Sequence, residues 1–518
     1  MNLIEELVAL QDEHGFLRDE DLRALATRTR APLYEIQGLC SFYPHFRREA
    51  PARLEVRACR DLACHLYDGG EALRDLQARC AGLDDVHFEA VSCLGRCDGA
   101  PACAINGIPM DAEQAAACLD EAEQGLPSPP SATGRRFELD PHASAEEHYG
   151  VLREWRDAGG DASRAAALIQ RLERSGLRGM GGAGFPTSRK WKLVAAEPAT
   201  PRYVICNADE SEPGTFKDRT LLAEAPHLVV EGVVLAGLAV GSHQGWVYIR
   251  HEYEPERLLL AREIERALSL GVLGDEVPGS GFAFDLRVFV SPGGYVLGEE
   301  TALLEAMEGR RGEPRNRPPY PGVRGLYGKP TLINNVETFA QVPRALRTGE
   351  AATKLFAVSG DVERPGVVEA PLGATLSDLV ERCGGLRDGR RLKAFLPGGA
   401  STGFLGPDQA ELPLDWDSLR RAGSALGSAA VLVVADGADL LDVAANLTAF
   451  FRNESCGKCV PCRIGTETAL EIIEAREPEG LDRLHALHEA MEATSICGLG
   501  QAALIPVTSL LDRFEDPS

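Results

Sequence analysis

Gly176-Leu177-Arg178-Gly179-Met180-Gly181-Gly182-Ala183-Gly184-Phe185-Pro186 contains a GxGxxG match at Gly179, Gly181 and Gly184. Such a match opens a Rossmann unit only where a strand precedes it. Here the preceding segment, 165–174, reads as a helix, so the stretch is not an ordinary Rossmann turn. Its glycines still let backbone N–H groups approach a phosphate or a flat ring closely. Lys190, just beyond, can add a charge-assisted contact to phosphate. A plain flexible loop is the alternative reading.

Moving outward, the predicted strand 202–205 runs into Cys206-Asn207-Ala208-Asp209-Glu210-Ser211-Glu212-Pro213-Gly214. A polar run at the carboxyl end of a strand favours a ligand, and Asn or Asp there can bond a heterocycle edge or a hydroxyl. The alternative is a capped helix start. Gly293-Gly294-Tyr295-Val296-Leu297-Gly298-Glu299-Glu300 brings carboxylates, which suit ribose hydroxyls or a carboxamide and disfavour an extra phosphate. Arg315-Asn316-Arg317-Pro318-Pro319-Tyr320 sets an aromatic ring near two cations, where a purine could stack. Asn334-Asn335 is the last such piece.

Near the C-terminus, Cys456, Cys459 and Cys462 are spaced by two residues, and Cys497 follows at a distance. Three thiolates in one run and a fourth from elsewhere are the pattern of a [4Fe–4S] cluster. Structural zinc and a disulfide pair are the alternatives. A second set, Cys59-x4-Cys64 and Cys93-x3-Cys97, follows two predicted strands and could ligate the two irons of a [2Fe–2S] cluster. Zinc, or a degenerate site with no cluster, is the alternative. Cys80 and Cys103 read as buried thiols.

The 518-residue chain calls for roughly three or four domains. Its net charge of −24 argues against nucleic acid as a partner. No apolar run is long enough to span a bilayer; the most apolar, 228–240 and 429–435, are short. The N-terminus has no basic segment or cleavable apolar segment, so a cytoplasmic protein is expected. Fourteen cysteines then point to metal ligation. Residues 1 to about 50 read as short amphipathic helices, with Leu3, Ile4, Leu7, Val8 and Leu10 at helical spacing. Residues 53–120 read as a small α/β unit with strands at 54–57 and 87–91 and a helix at 69–80. Pro127, Ser128, Pro129, Pro130, Ser131 and Gly134 mark a linker. A large α/β region, a β-rich piece at 355–405, a strand at 429–435 and a mostly helical remainder follow.

Taken together, the segments 179–186, 207–214, 298–303 and 455–459 closely resemble the NADH-binding flavoprotein subunit of respiratory complex I and its relatives. These include the diaphorase subunits of NAD-reducing hydrogenases and the beta subunit of NAD-dependent formate dehydrogenase. Residues 1–120 are similar to the thioredoxin-like [2Fe–2S] subunit of the same systems, here fused. The resemblance implies an α/β multidomain chain. Its expected parts are 1–124, helices plus the thioredoxin-like domain; 125–149, a linker; 150–345, a Rossmann-like but not ordinary FMN/NADH domain; 346–428, a β-grasp (SLBB) domain; and 429–518, a helical [4Fe–4S] bundle.

By position, the resemblance implies that Gly179, Gly181, Lys190, Asn207, Asp209, Tyr295, Gly298, Glu299, Asn334 and Asn335 surround FMN. Phe185, Glu212, Glu300, Arg317 and Tyr320 would face NAD(H). Family members often carry Lys and Phe at the last two positions, changes that keep charge and stacking. It also implies that hydride transfer is the cofactor's own chemistry, so no catalytic acid or nucleophile is expected. The intervals Cys462–Cys497 and Cys64–Cys93 are shorter than usual for the family, which suggests a trimmed helix pair and shifted ligand loops.

The stretch 309–319 looks most like the formate dehydrogenase beta subunit. That implies a molybdenum or tungsten alpha subunit and a small iron–sulfur subunit as partners; a hydrogenase diaphorase or a fused complex I subunit is the alternative. A scaffold that has lost flavin is the reading from another class, and the Gly179 loop, Asn207, Asp209 and Glu299 speak against it.

Overall fold

The computed structural model describes residues 2–120, 127–128, 131–157, 161–274 and 282–514. Pro129 and Pro130 of the expected linker lie outside the described residues.

The amphipathic N-terminal pattern forms three helices, Leu3–His14, Asp19–Thr29 and Leu33–Phe42. Asp19, Glu20 and Asp21 fill the first turn of the second, where the helix dipole favours negative charge. Ile4, Leu7, Leu22, Leu25, Ile36 and Leu39 are buried in the same core as the central domain. Tyr43 donates its hydroxyl to the Arg310 carbonyl at 2.5 Å, tying this leader down.

The small α/β unit carries β1 (Leu54–Cys59), β2 (Val86–Val91), β3 (Ala102–Ile105) and β4 (Ile108–Asp111) in the order β2-β1-β3-β4. β1 is parallel to β2 and antiparallel to β3. The helix expected at 69–80 runs from Glu71 to Cys80, and a further short helix, Leu62–Asp68, precedes it across Gly69 and Gly70. Cys80 and Cys103 are core thiols, as their spare positions suggested, and burial pushes Cys103 up to about 12.

The central domain holds β5 (Tyr203–Ala208), β6 (Gln244–Arg250), β7 (Asp285–Ser291) and β8 (Thr331–Asn335), all parallel, in the order β7-β6-β5-β8. The apolar run 228–240 lies in the helix Pro226–Val240, whose side chains are buried. Each Leu or Val there stabilises the fold by about 1.5–3 kcal/mol relative to exposure. No single helix among the described residues is long and apolar enough to cross a membrane.

A third sheet holds β9 (Thr353–Gly360), β10 (Gly366–Pro371), β11 (Leu392–Leu396) and β12 (Ala430–Ala435) in the order β10-β9-β12-β11. β12 is parallel to β9 and antiparallel to β11. The strand expected at 429–435 is thus β12, and it pairs within this sheet, whereas the expected domain bounds grouped its residues with the helical C-terminal piece. The strand's pairing partner β9 lies some seventy residues back, beyond any local signal. The helices Leu440–Asn453, Val460–Ala475, Leu484–Thr494, Gly498–Ala502 and Ile505–Arg513 complete the chain.

The expected linker is not a free tether along its whole length. The amides of Thr133, Gly134 and Arg135 donate to the Glu224 carboxylate, and Phe137, Leu139 and Tyr149 are buried. Apolar residues interrupt the Pro/Ser/Gly composition from Phe137 onward and dock the segment.

Candidate functional site

The four strands of the central sheet are parallel, so their carboxyl ends open on one edge. Asn207, near the end of β5, donates from Nδ2 to the Gly298 carbonyl at 2.8 Å and accepts from the Asp209 amide at 3.1 Å. Asp209 accepts from Ser291 Oγ, at the end of β7, at 2.8 Å and from the Ser211 hydroxyl. Burial pushes its carboxyl up to about 6. At the end of β8, Asn334 accepts from the Trp191 indole N–H at 3.0 Å. Asn335 donates to Asp218 at 2.5 Å and accepts from the Glu337 amide at 3.0 Å.

The glycine-rich loop follows the helix Asp161–Ser175 rather than a strand, so it is no Rossmann turn. It closes on itself: Gly179 N–H donates to Phe185 O at 2.8 Å, and Thr187 N–H to Leu177 O at 3.0 Å. A Cβ at Gly181 would lie 2.8 Å from Cβ of Asn335, so only glycine lets the loop seat against the end of β8. Arg178 stacks on Trp416 at 4.6 Å and clasps the loop to the third-sheet domain.

The acidic residues are engaged differently from one another. Glu299 caps the helix Glu300–Met307 by accepting from the Thr301 and Ala302 amides at 2.9 Å. Its other oxygen makes no hydrogen bond and lies 3.5 Å from Arg317 Nη1. The Glu300 carboxylate pairs with Lys190, which also donates to Ile333 O at 2.6 Å. Glu212 turns to the third-sheet domain and accepts from the amide and hydroxyl of Ser401 at 3.0 and 2.6 Å.

Tyr295 packs edge-on against Phe450 at 5.0 Å, and its amide donates to Glu454 at 2.8 Å, so its ring faces the C-terminal helices. Phe185 is largely exposed beside Arg189. An open cleft of about 500 Å³ is lined by Asn316, Arg317, Tyr320, Ile496 and Gln501. Positions 190, 207, 209, 298, 299, 300, 317, 334 and 335 are therefore linked around one edge, whereas Tyr320 lines the cleft and Phe185 is exposed outside that lining. Ser291, Ser401 and Gln501 were not found from sequence, and Ile496 had no role of its own there beside Cys497.

Eight of the fourteen cysteines form two groups. No disulfide joins any of them, which leaves that alternative without support. In the first group Cys93 and Cys97 sulfurs lie 3.5 Å apart. Cys59 is pushed well above the usual thiol range, first by its contacts with Cys64 and Cys93. The amides of Gly95 and Ala102 donate to the sulfurs of Cys93 and Cys64 at 3.3 Å. In the second group the helix Gly498–Ala502, which follows Cys497, packs against Cys462: a Cβ at Gly500 would lie 2.9 Å from Cβ of Cys462. The Ser455 hydroxyl is 3.2 Å from the Cys462 sulfur. Burial pushes Cys462 up to about 12 and Cys497 to about 11.

Comparison with known proteins resolves what these groups belong to. The chain is 42% identical over 369 residues to the F subunit of NADH-quinone oxidoreductase from Mycobacterium tuberculosis (strain ATCC 25618 / H37Rv), covering 67% of this chain and 83% of that protein. The chain belongs to the family of NADH-quinone oxidoreductase F subunits. The Escherichia coli (strain K12) member is 39% identical over 368 residues, with the same coverage. Family models match as the Nuo51 FMN-binding domain at 172–344 and the NADH-ubiquinone oxidoreductase-F iron–sulfur binding region at 442–517. The thioredoxin-like [2Fe–2S] ferredoxin model matches at 1–122 and the SLBB domain at 355–405. A solved NAD⁺-reducing [NiFe]-hydrogenase chain in the H₂-reduced state superposes with a TM-score of 0.87 at 31% identity, covering 100% of this chain and 93% of that one.

Membership of this family makes the chain an NADH dehydrogenase-type oxidoreductase component of a multi-subunit redox complex, with FMN, [4Fe–4S] and [2Fe–2S] as its cofactors. The residues present fit these groups. Buried thiols resist ionisation unless a cation offsets the charge, and each quartet offers four sulfurs to iron with none tied up in a disulfide. The strand-end edge offers amide, hydroxyl and lysine donors beside a closed glycine loop.

Proposed function

We propose that this chain exchanges electrons between NAD(H) and a partner subunit. In this reading FMN is held by Gly179, Gly181, Lys190, Asn207, Asp209, Tyr295, Gly298, Glu299, Asn334 and Asn335. Phe185, Glu212, Glu300, Arg317 and Tyr320 orient NAD(H); Cys456, Cys459, Cys462 and Cys497 hold the [4Fe–4S] cluster; and Cys59, Cys64, Cys93 and Cys97 hold the [2Fe–2S] cluster. The observation that carries it is that the cleft at Arg317 and Tyr320 is also lined by Ile496, next to Cys497. The nucleotide mouth and the cysteine quartet thus share one wall.

Bound FMN supplies exchange between the electron pair of a hydride and single electrons. The protein's part is to seat and orient. The Asn207 amide and the Gly181 backbone position a flat ring. Asp209, raised by burial only to about 6, is chiefly a carboxylate at neutral pH and accepts from hydroxyl partners, as it does from Ser211 and Ser291. Lys190, released from Glu300, offers a cation to phosphate.

The stretch 309–319 favours the beta subunit of an NAD-dependent formate dehydrogenase, with a molybdenum or tungsten alpha subunit and a small iron–sulfur subunit, in the cytoplasm. The diaphorase subunit of an NAD-reducing hydrogenase is a second reading, favoured by the whole-chain likeness to such a protein. Iron, sulfide and flavin content of anaerobically purified protein, with low-temperature EPR after NADH, tests the core assignment. About six irons and one FMN with two cluster signals is the expected result. About four irons removes the N-terminal cluster ligands, and absence of flavin removes the whole reading. Co-purification of formate-oxidising or H₂-oxidising activity decides between partners.

A further inference from the structure

The Cys93 peptide is gripped at both ends. Its N–H donates to the Asp61 carboxylate at 3.0 Å, and its carbonyl accepts from Arg250 Nη2 at 2.6 Å. Arg250 ends β6, so it belongs to the flavin-binding domain, and its side chain is 3% exposed. The same guanidinium donates to the Glu210 carbonyl at 2.6 Å and to Glu252 Oε2 at 2.9 Å. The neighbouring Tyr253 ring packs so tightly that a Cβ at Gly95 would fall 2.2 Å from its hydroxyl. Two further guanidiniums at this junction are each matched by a carboxylate: Arg96 to Glu256 at 2.8 Å and Arg219 to Asp98 at 2.6 Å. Neither bonds to a cysteine; Arg250 does.

A thiolate-held two-iron cluster becomes one unit more negative when it takes up an electron. Beside it, a buried cation in a low-dielectric site favours the reduced form. Arg250 keeps its proton throughout, so the step is one electron in, with no proton exchanged at this residue. Glu252 opposes the effect from the far side of the guanidinium.

We propose that Arg250 is a positioning residue through which the flavin-binding domain raises the reduction potential of the N-terminal iron–sulfur cluster, with Glu252 moderating it. The proposal rests on Cys59, Cys64, Cys93 and Cys97 being the ligands.

The test is an EPR-monitored redox titration of the anaerobically purified full chain and its Arg250→Gln, Arg250→Lys and Glu252→Gln variants, with iron counted in each. Arg250→Gln is expected to lower the reduced-to-oxidised ratio at the wild-type midpoint about tenfold, which is about 59 mV for one electron. Glu252→Gln moves the midpoint the opposite way, Arg250→Lys restores most of the loss, and the C-terminal cluster signal does not move. Unchanged midpoints, or shifts of the same sign in both loaded variants, overturn the proposal alone. If Arg250→Gln loses its N-terminal iron, Glu252→Gln decides by itself: an unchanged or lowered midpoint overturns it. A wild-type chain with no two-iron signal overturns the ligand assignment together with the proposal.

Discussion

The two cysteine quartets differ in how far they are enclosed: the first is buried throughout, whereas in the second Cys462 and Cys497 are buried and Cys456 and Cys459 are not. Cys59, Cys64, Cys93 and Cys97 are each at most 5% exposed. Residues from distant parts of the chain close over their loops: Arg250 on the Cys93 carbonyl, and Asn446 on the Leu62 amide at 2.6 Å and the Arg60 carbonyl at 2.9 Å. Cys456 and Cys459 are half-buried, and next to them Val460 and Ile464 are 59% and 54% exposed. A metal held in the first setting can meet only groups of its own chain. One held in the second has an apolar margin on which another protein can seat. Enclosure, rather than ligand chemistry, separates an internal electron site from an outward-facing one.

The sharpest way to break that contrast is to remove one ligand from each side. Cys462→Ala is expected to take iron from about six atoms to about two, and Cys97→Ala from about six to about four. Cys97→Ala should also lower the thermal midpoint, because its quartet lies in the seam between domains. If Cys97→Ala leaves iron unchanged, the enclosed quartet is not a metal site.

Gly95→Ala probes the seam without touching a sulfur. The added methyl meets Tyr253 in a residue already at φ 67°. Overpacking of that kind costs about 1–3 kcal/mol, read as a lower unfolding midpoint in denaturant. A neutral result would mean that the seam is loose. Glu212→Ala acts on the nucleotide side instead. Loss of a charge-assisted contact of about 1.5 kcal/mol should cut NADH oxidation with an artificial acceptor by roughly tenfold, with iron and FMN retained. Full activity would remove Glu212 from the nucleotide site.

The smallest effect expected is on pH. Burial, then His227 and Arg266, hold His148 down to about 4, and burial, then His251, hold His45 down to about 3. Both are neutral in the folded chain and take up a proton near 6.5 when it unfolds. The unfolded state therefore binds more protons below that value, and stability falls as pH drops from about 6.5 toward 4. His148→Gln should flatten part of that slope in pH-dependent thermal melts, with iron content unaffected between pH 6 and 7, because neither histidine touches a cysteine.

What the sequence disclosed was what is local. Helical spacing at Ile4 and Leu7, the cysteine intervals, and the helix before Gly179 all act over a few residues, and each left a readable pattern. The contacts that complete the sites are not local. Arg250 reaches Cys93 across 157 positions and Ser401 reaches Glu212 across 189, and a single Arg or Ser in an unremarkable segment carries no periodicity. The strand at 429–435 was itself local and legible, but its pairing with β9 was not, and Phe137 and Leu139 are hidden by the proline-rich residues before them.

The helix Leu440–Asn453 follows β12 in the chain, and it also fixes an order of assembly. Its Asn446 closes the loop of Cys59 and Cys64, and its C-terminal end leads directly into Cys456. The N-terminal cysteines leave the ribosome first, but the residues that shut them in are among the last to be made. A chain folding from its N-terminus therefore carries the loop of Cys59 and Cys64 uncovered through most of its synthesis, until the helix that bears Asn446 docks on it.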